Sequence, residues 1–365
     1  MKALAVEKEK ILHNIKLIRE KAGDASVIAV LKGNGYGLGL CELAAVLRDA
    51  GITFFAVTEP GDALALRNAG FTEEEILVLR STALDEDIKT IIEACATATV
   101  GSYDAAIALN GMAEKQGLVI DAHIEIDTGM GRYGFMTSEI DRILSVYRYM
   151  SNLNITGLYT HLYCAFASRK TAEAQIEKLL KTAERIKNEG LNPGVLHALN
   201  SAALFKHKNL KRLDAVRVGS AVTGRLPAKC PHDLKRAGYL TCPICEIRWL
   251  PKNSTIGYGG AYVTKKPTKI AVVPLGYSDG FLLEKTRDIY RFRDLLRYIL
   301  AELRKWTGAG RYFALVNGRK AKVLGHVGVA HTVLDVTDIE CSVGDTAAFD
   351  VSPLCVGTQI PRKYV

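Results

Sequence analysis

The 365-residue chain has no run of eighteen uninterrupted apolar residues, which excludes a membrane-spanning helix of ordinary length. Its opening, MKALAVEKEK, places charges where a secretory signal needs its apolar segment, so a cytoplasmic location is expected. It also lacks a second close cysteine pair. CPIC at 242–245 has metal or redox spacing and Cys230 lies nearby, but the flank EIRWL reads as a strand and no metal site is expected. The eight cysteines are scattered through a chain too large to need covalent staples, which favours reduced thiols. No nucleic-acid signature accompanies the net charge of +9. Residues 282–312 alone hold eight Lys/Arg against four Asp/Glu, and the mild excess elsewhere suits solubility and anionic small molecules. Neither nucleic acid nor membrane is expected as a partner.

What is present is alternation. Candidate strands SVIAVL (26–31), TFFAV (53–57), ILVL (76–79), ATATV (96–100), DAHIEID (121–127), ITGLYTH (155–161), VLHALN (195–200) and LDAVRVG (213–219) are separated by amphipathic helical segments. Several of these segments, such as CELAAVLRDAG and GDALALRNAG, end at a glycine, as a helix C-cap does. Eight strand–helix pairs in about 220 residues predict a (β/α)8 TIM-type barrel over 1–230, with a doubly wound open sheet as the alternative. From about 235 the texture changes to short strands and turns, predicting a mainly-β domain over 231–365. A helix near 287–306 interrupts it. There Ile289, Phe292, Leu296, Ile299, Leu303 and Trp306 form one apolar stripe, expected to dock on its own domain or a dimer mate.

Barrel enzymes carry their chemistry at the C-terminal ends of the strands. Lys32 ends the first candidate strand, and the fifth runs into DTGMGR with Arg132. The sixth ends in His161, the seventh in Asn200 and Ser201, and the eighth carries Arg217, Gly219 and Ser220. Backbone amides and hydroxyls around Ser201, Gly219 and Ser220 suit a phosphate. A partly desolvated lysine has its charged form disfavoured, which frees the amine to react with a carbonyl. Phosphate and carbonyl-reactive lysine together point to pyridoxal 5'-phosphate. The stretch GNGYGLG offers one glycine-rich turn without the acidic partner of a dinucleotide fingerprint.

On LKGNGYGLG, DTGMGRYGF, YTHL, LHALNSAA, VRVGSAVTG, IGYGGAY and VPLGYSDGF, in that order, the chain resembles the alanine racemase family of fold-type III pyridoxal-phosphate enzymes. The resemblance implies an isomerase that interconverts L and D amino acids by two-base proton transfer. Lys32 would hold the cofactor and act as one base, and Tyr258, supplied across a homodimer interface, would be the other. Tyr36, Ser201, Gly219 and Ser220 would hold the phosphate, with Asn200 and Thr358 also on the cofactor. Arg217 would donate to the pyridine nitrogen, and His161 would link Tyr258 to the ring. Arg132 would serve cofactor and substrate carboxylate, with Val329 and Tyr277 on the substrate side.

The chain departs from the family pattern in three places. Glu125 stands where many members have a modifiable lysine, and it is expected to orient Arg132 directly. Val329 and Ala330 replace a Met–Asp pair, and Thr358 replaces a tyrosine. These smaller side chains predict a wider pocket that admits serine, lysine or ornithine as well as alanine. A decarboxylase of the same fold type, using Cys355, is the remaining alternative.

Overall fold

The computed structural model describes residues 1–207, 210, 213–226, 230–283, 292–306 and 312–365. The chain divides into two compact units, Lys8–Ala237 and a second made of Met1–Glu7 with Gly238–Val365.

The first unit is a parallel barrel. Its strands are Ser26–Val30, Phe54–Val57, Glu75–Val78, Ala98–Val100, Ile120–Asp127, Leu153–Tyr159, Val195–Asn200 and Ala215–Val218. The eighth strand pairs in parallel with the first, Val216 opposite Val27, so no edge is left there. The third meets the fourth through a Leu77–Thr97 bridge, with the Val78 amide 2.9 Å from the Thr97 carbonyl. An open doubly wound sheet would leave both junctions unpaired. Helices stop where the sequence indicated: Leu40–Asp49, Pro60–Asn68 and Arg169–Asn188 are each followed two residues on by Gly51, Gly70 or Gly190 in left-handed backbone. Ser102 and Ser168 cap the starts of Tyr103–Gln116 and Arg169–Asn188 by accepting from the Ala105 and Thr171 amides. Among the described residues no helix is long and apolar enough to cross a membrane.

The barrel interior is divided by chemistry. Ile28, Val30, Ala56, Leu77 and Ala215 form an apolar cluster on strands one, two, three and eight. The other side is filled by buried polar groups: His123 and Glu125 of the fifth strand, Tyr159, His197 and Arg217. Such a filling departs from the branched aliphatic layers of an ordinary barrel, and an uncompensated buried charge is costly. The polar side therefore forms one connected network.

The second unit is built on a nine-stranded sheet in the order Glu246–Leu250, Thr268–Val273, Thr332–Asp335, Arg319–Leu324, Phe313–Val316, Thr346–Phe349, Tyr239–Pro243, Ala3–Val6 and Arg362–Tyr364. The first residues of the chain thus fold with the β unit and not with the barrel, because Ala3–Val6 pairs with Tyr239–Pro243 on one side and Arg362–Tyr364 on the other. Phe281 and Phe349 meet edge to face at 4.8 Å in its core. The inserted helix is present as Phe292–Trp306. Phe292, Leu296, Ile299 and Leu303 remain exposed on it instead of docking on their own unit. Ile289 and the rest of 287–291 lie outside the described residues.

Candidate active site

The turn after the first strand has an uncommon backbone. Gly33, Asn34, Gly35 and Tyr36 all have φ between 54° and 63°, and the amides of Gly35 and Gly37 donate to the carbonyls of Leu31 and Gly33 at 2.8 and 2.9 Å. Successive left-handed residues cost an L side chain roughly 1–2 kcal/mol each, which is why glycine and asparagine fill most of the turn. The Asn34 carboxamide then accepts from the Leu40 amide at 2.8 Å and starts the next helix. Two side chains leave this turn: Lys32 at the strand end and Tyr36 one turn later.

Both line one cavity of about 560 Å³ at the C-terminal ends of the strands, together with Glu125, Arg132, His161, Asn200, Ser201, Arg217, Gly219 and Ser220. Burial, helped by the charge of Arg132, lowers the Lys32 pKa below its ordinary value, so its amine is neutral at lower pH than a surface lysine's. Tyr36 lies directly over Gly219, where an added Cβ would be 2.3 Å from its ring. Burial pushes its phenol up to about 12, keeping it a hydrogen-bond donor. The Ser201 hydroxyl accepts from the amides of Gly219 and Ala221 at 3.2 and 3.3 Å, leaving its own proton to donate. Asn200 instead caps the helix Ser201–Lys206, accepting from the Ala203 amide at 3.0 Å. A donor-rich cradle with no carboxylate in it fits a phosphate.

Arg217 is 4% exposed and fixed on two sides. Its guanidinium donates to Nδ1 of His197 at 2.5 Å and to the Thr160 carbonyl at 2.8 Å, and it lies 4.7 Å from the Tyr159 ring centroid. His161 is pushed down to about 3 by burial and then by Arg217, Arg132 and Lys32, so it is neutral at physiological pH. Glu125 corrects an expectation: no ion pair joins it to Arg132. Its carboxylate accepts from the Tyr159 hydroxyl at 3.3 Å, and Arg132 instead lies over the ring of Tyr133. The fifth strand's inward-facing side chains meet those of the neighbouring sixth strand, whereas Arg132 sits beyond the strand end on a loop held by Asp127, which accepts from the amides of Gly129, Met130 and Gly131.

Burial pushes Glu125 up to about 7 against the pull of Arg217 and Arg132. The native state therefore holds a proton that the unfolded chain releases near pH 4.5, and stability is lost as pH rises from there through 7. Glu125→Gln, which keeps an acceptor for Tyr159, is expected to raise Tm at pH 8 and to leave it unchanged at pH 4, as scanning calorimetry at the two pH values would read.

The β unit carries the other candidates. Tyr258 stands in a short turn, Tyr258–Gly260, and is 82% exposed. Tyr277 and Val329 are brought together: the Tyr277 amide donates to the Gly328 carbonyl, and Ser278 donates to that of Val329. Gly280 abuts the Cys355 carbonyl, which brings the segment leading to Thr358 to the same loops. Cys242 is buried with its thiol near the Pro274 carbonyl, while Cys245 is exposed beside Val272.

Sequence reasoning missed His123 and His197 beneath the cavity, and Tyr159 and Arg80, which line it, Arg80 while paired with Glu59 and Asp87. The alternation in HIEID, with polar residues at every inward position of a barrel strand, was the available signal.

A closed barrel whose strand ends bring a lysine of lowered pKa, a set of hydroxyl and amide donors and two arginines to one cavity, in a chain with a separate β unit, defines a two-domain barrel protein with the features of a lysine-based enzyme. The chain belongs to the alanine racemase family. Residues 6–227 match the family's "Alanine racemase, N-terminal domain" and residues 237–352 its "Alanine racemase, C-terminal domain". It is 33% identical to an alanine racemase of Methanococcus maripaludis over 93% of this chain and 86% of that protein. Among solved structures, an alanine racemase of Clostridium difficile 630 shares the fold with a TM-score of 0.84 at 24% identity, covering 100% of this chain and 95% of that one. One from Bartonella henselae, with covalently bound pyridoxal phosphate, shares it at 0.77 and 19% identity, covering 100% and 99%.

Proposed function

We propose that this chain is a pyridoxal 5'-phosphate-dependent alanine racemase, acting as a cytoplasmic homodimer. The observation that carries the reading is the meeting of Lys32 with the Tyr36, Ser201 and Gly219 cradle in one cavity. When bound, the cofactor supplies an aldehyde for amines and an electron sink that acidifies the substrate Cα–H.

Each residue then has a physical task. The Tyr36 and Ser201 hydroxyls and the backbone of Gly219 and Ser220 hold the phosphate. Arg217 donates to the ring nitrogen. A guanidinium does not surrender its proton, so Arg217 would offer that nitrogen a hydrogen bond without protonating it. Arg132 takes the substrate carboxylate. The lowered pKa of Lys32 lets its neutral amine accept or return a proton on one face of Cα. The opposite face needs a second acid/base group, which we assign to Tyr258 of the partner subunit, linked to the ring through His161. Val329, Tyr277 and Thr358 border the substrate.

Turnover and cofactor retention test this reading. Incubation with L-alanine in deuterium oxide, followed by chiral separation, is expected to give D-alanine carrying deuterium at Cα. Serine, lysine and ornithine are expected to turn over at comparable rates if Val329 and Thr358 widen the pocket. Carbon dioxide release without inversion would favour the decarboxylase. Gly219→Ala places a Cβ against the Tyr36 ring and is expected to weaken cofactor retention roughly 10- to 100-fold, read by fluorescence titration of the apoprotein.

A further inference from the structure

The polar side of the barrel contains a hydrogen-bond chain whose direction can be derived link by link. A guanidinium only donates, and Nη1 of Arg217 lies 2.5 Å from Nδ1 of His197. That nitrogen is therefore an unprotonated acceptor, and the neutral ring carries its proton on Nε2. This Nε2 lies 2.9 Å from Nδ1 of His123, which must accept in turn, so the proton of His123 is also on Nε2. Nε2 of His123 faces Oε1 of Glu75 at 3.7 Å, a charge contact longer than a tight hydrogen bond. Glu75 opens the third strand, so it lies at the end of the barrel opposite the cavity.

The surroundings are shaped for these rings. A Cβ on Gly157 would stand 2.6 Å from Cε1 and Nε2 of His123, and the fifth and sixth strands shift register between Ala122 and His123. Tyr159 stacks on His197 at 4.8 Å, and Phe54 meets His123 edge-on at 6.1 Å. Both histidines are driven towards neutrality by burial and by Arg217, in agreement with the direction of the chain.

We propose that Glu75 is a positioning residue: its carboxylate faces the outer end of the path Arg217→His197→His123, whose direction Arg217 sets, and by its charge it stabilises the His123 Nε2–H and reinforces the arrangement that keeps the guanidinium aimed at the cavity. The proposal rests on the reading of Arg217 as the group that meets the cofactor ring. Glu75 is faced by His123, by the charge of Asp121 and by the Thr97 hydroxyl; its side chain is 43% exposed, and partial burial followed by Asp121 pushes it up to about 7. Its carboxylate carries its full charge above that pH, so its pull on the His123 N–H grows as pH rises.

The test is nitrogen-15 histidine NMR on the holoenzyme from pH 5 to 9, for the wild type, Glu75→Gln and Glu75→Ala. Wild type is expected to show Nε2–H on both rings throughout, with a His123 inflection near pH 7. Glu75→Gln and Glu75→Ala should both keep the tautomers, which Arg217 sets, and both should lose the inflection. Nδ1–H on either wild-type ring, or an inflection that survives in Glu75→Gln, would overturn the proposal, and the second criterion stands even if Glu75→Ala does not fold. The readout is independent of turnover. Absent racemisation with the predicted tautomers would reject the function and leave the relay standing, and the converse would reject the relay alone.

Discussion

Lys32→Ala is expected to lower alanine racemisation by at least about 10⁴-fold, since one substitution removes both the covalent anchor and one of the two proton carriers. The protein should still fold. No side-chain hydrogen bond or ion pair joins Lys32 to another described residue, and the left-handed turn that follows is held by the backbone bonds of Leu31 to Gly37. Circular dichroism and Tm are therefore expected to match the wild type, while pyridoxal 5'-phosphate is lost on gel filtration. Added small amines should restore part of the proton transfer, because the space vacated by the side chain opens into the cavity. Racemisation at the wild-type rate in the alanine variant would refute the assignment.

Tyr258→Phe is expected to lower racemisation roughly 10²- to 10⁴-fold, the range for loss of one general acid/base. The ring is 82% exposed, so removing its hydroxyl should leave stability unchanged. The informative measurement is exchange rather than turnover. The enantiomer whose Cα–H faces Lys32 should still exchange deuterium without inversion, and the other should stop. Equal loss from both would show that Tyr258 serves binding only. Mixing the Lys32→Ala and Tyr258→Phe proteins tests the shared site directly. A random mixture of dimers contains one intact site in each heterodimer, so about a quarter of wild-type activity should return if Tyr258 acts across the interface, and none if it acts within its own chain.

Much of the barrel was legible because local chemistry and global role coincide there. All eight candidate strands formed, at positions set by β-branched runs, and glycines stood where helices had to stop. Lys32, Arg132, His161, Ser201 and Arg217 could be gathered from the sequence because a parallel barrel brings every strand's C-terminal end to one face. The β domain was less legible. Its sheet recruits Ala3–Val6 and Arg362–Tyr364, segments more than three hundred residues apart, and no local pattern encodes such a pairing. The Glu125–Arg132 pairing failed for a related reason: spacing in sequence places the two groups near one strand end, but the Tyr159 hydroxyl of the adjacent strand reaches the carboxylate.

By itself the sequence determined the alternation that closes the barrel, the lysine at the first strand end, and the glycine and asparagine that permit a left-handed turn between Lys32 and Tyr36. Those are properties of single residues and short spacings, dictated by backbone sterics and side-chain period. Only the tertiary structure decided that Tyr36 lies over Gly219, that Arg217 is buried against His197, and that the line of donors continues to His123, which faces Glu75. Each of these joins strands whose residues are far apart in the chain. A buried donor or charge must find a partner wherever the closed barrel places one, and that place is fixed by strand register and inward side-chain direction.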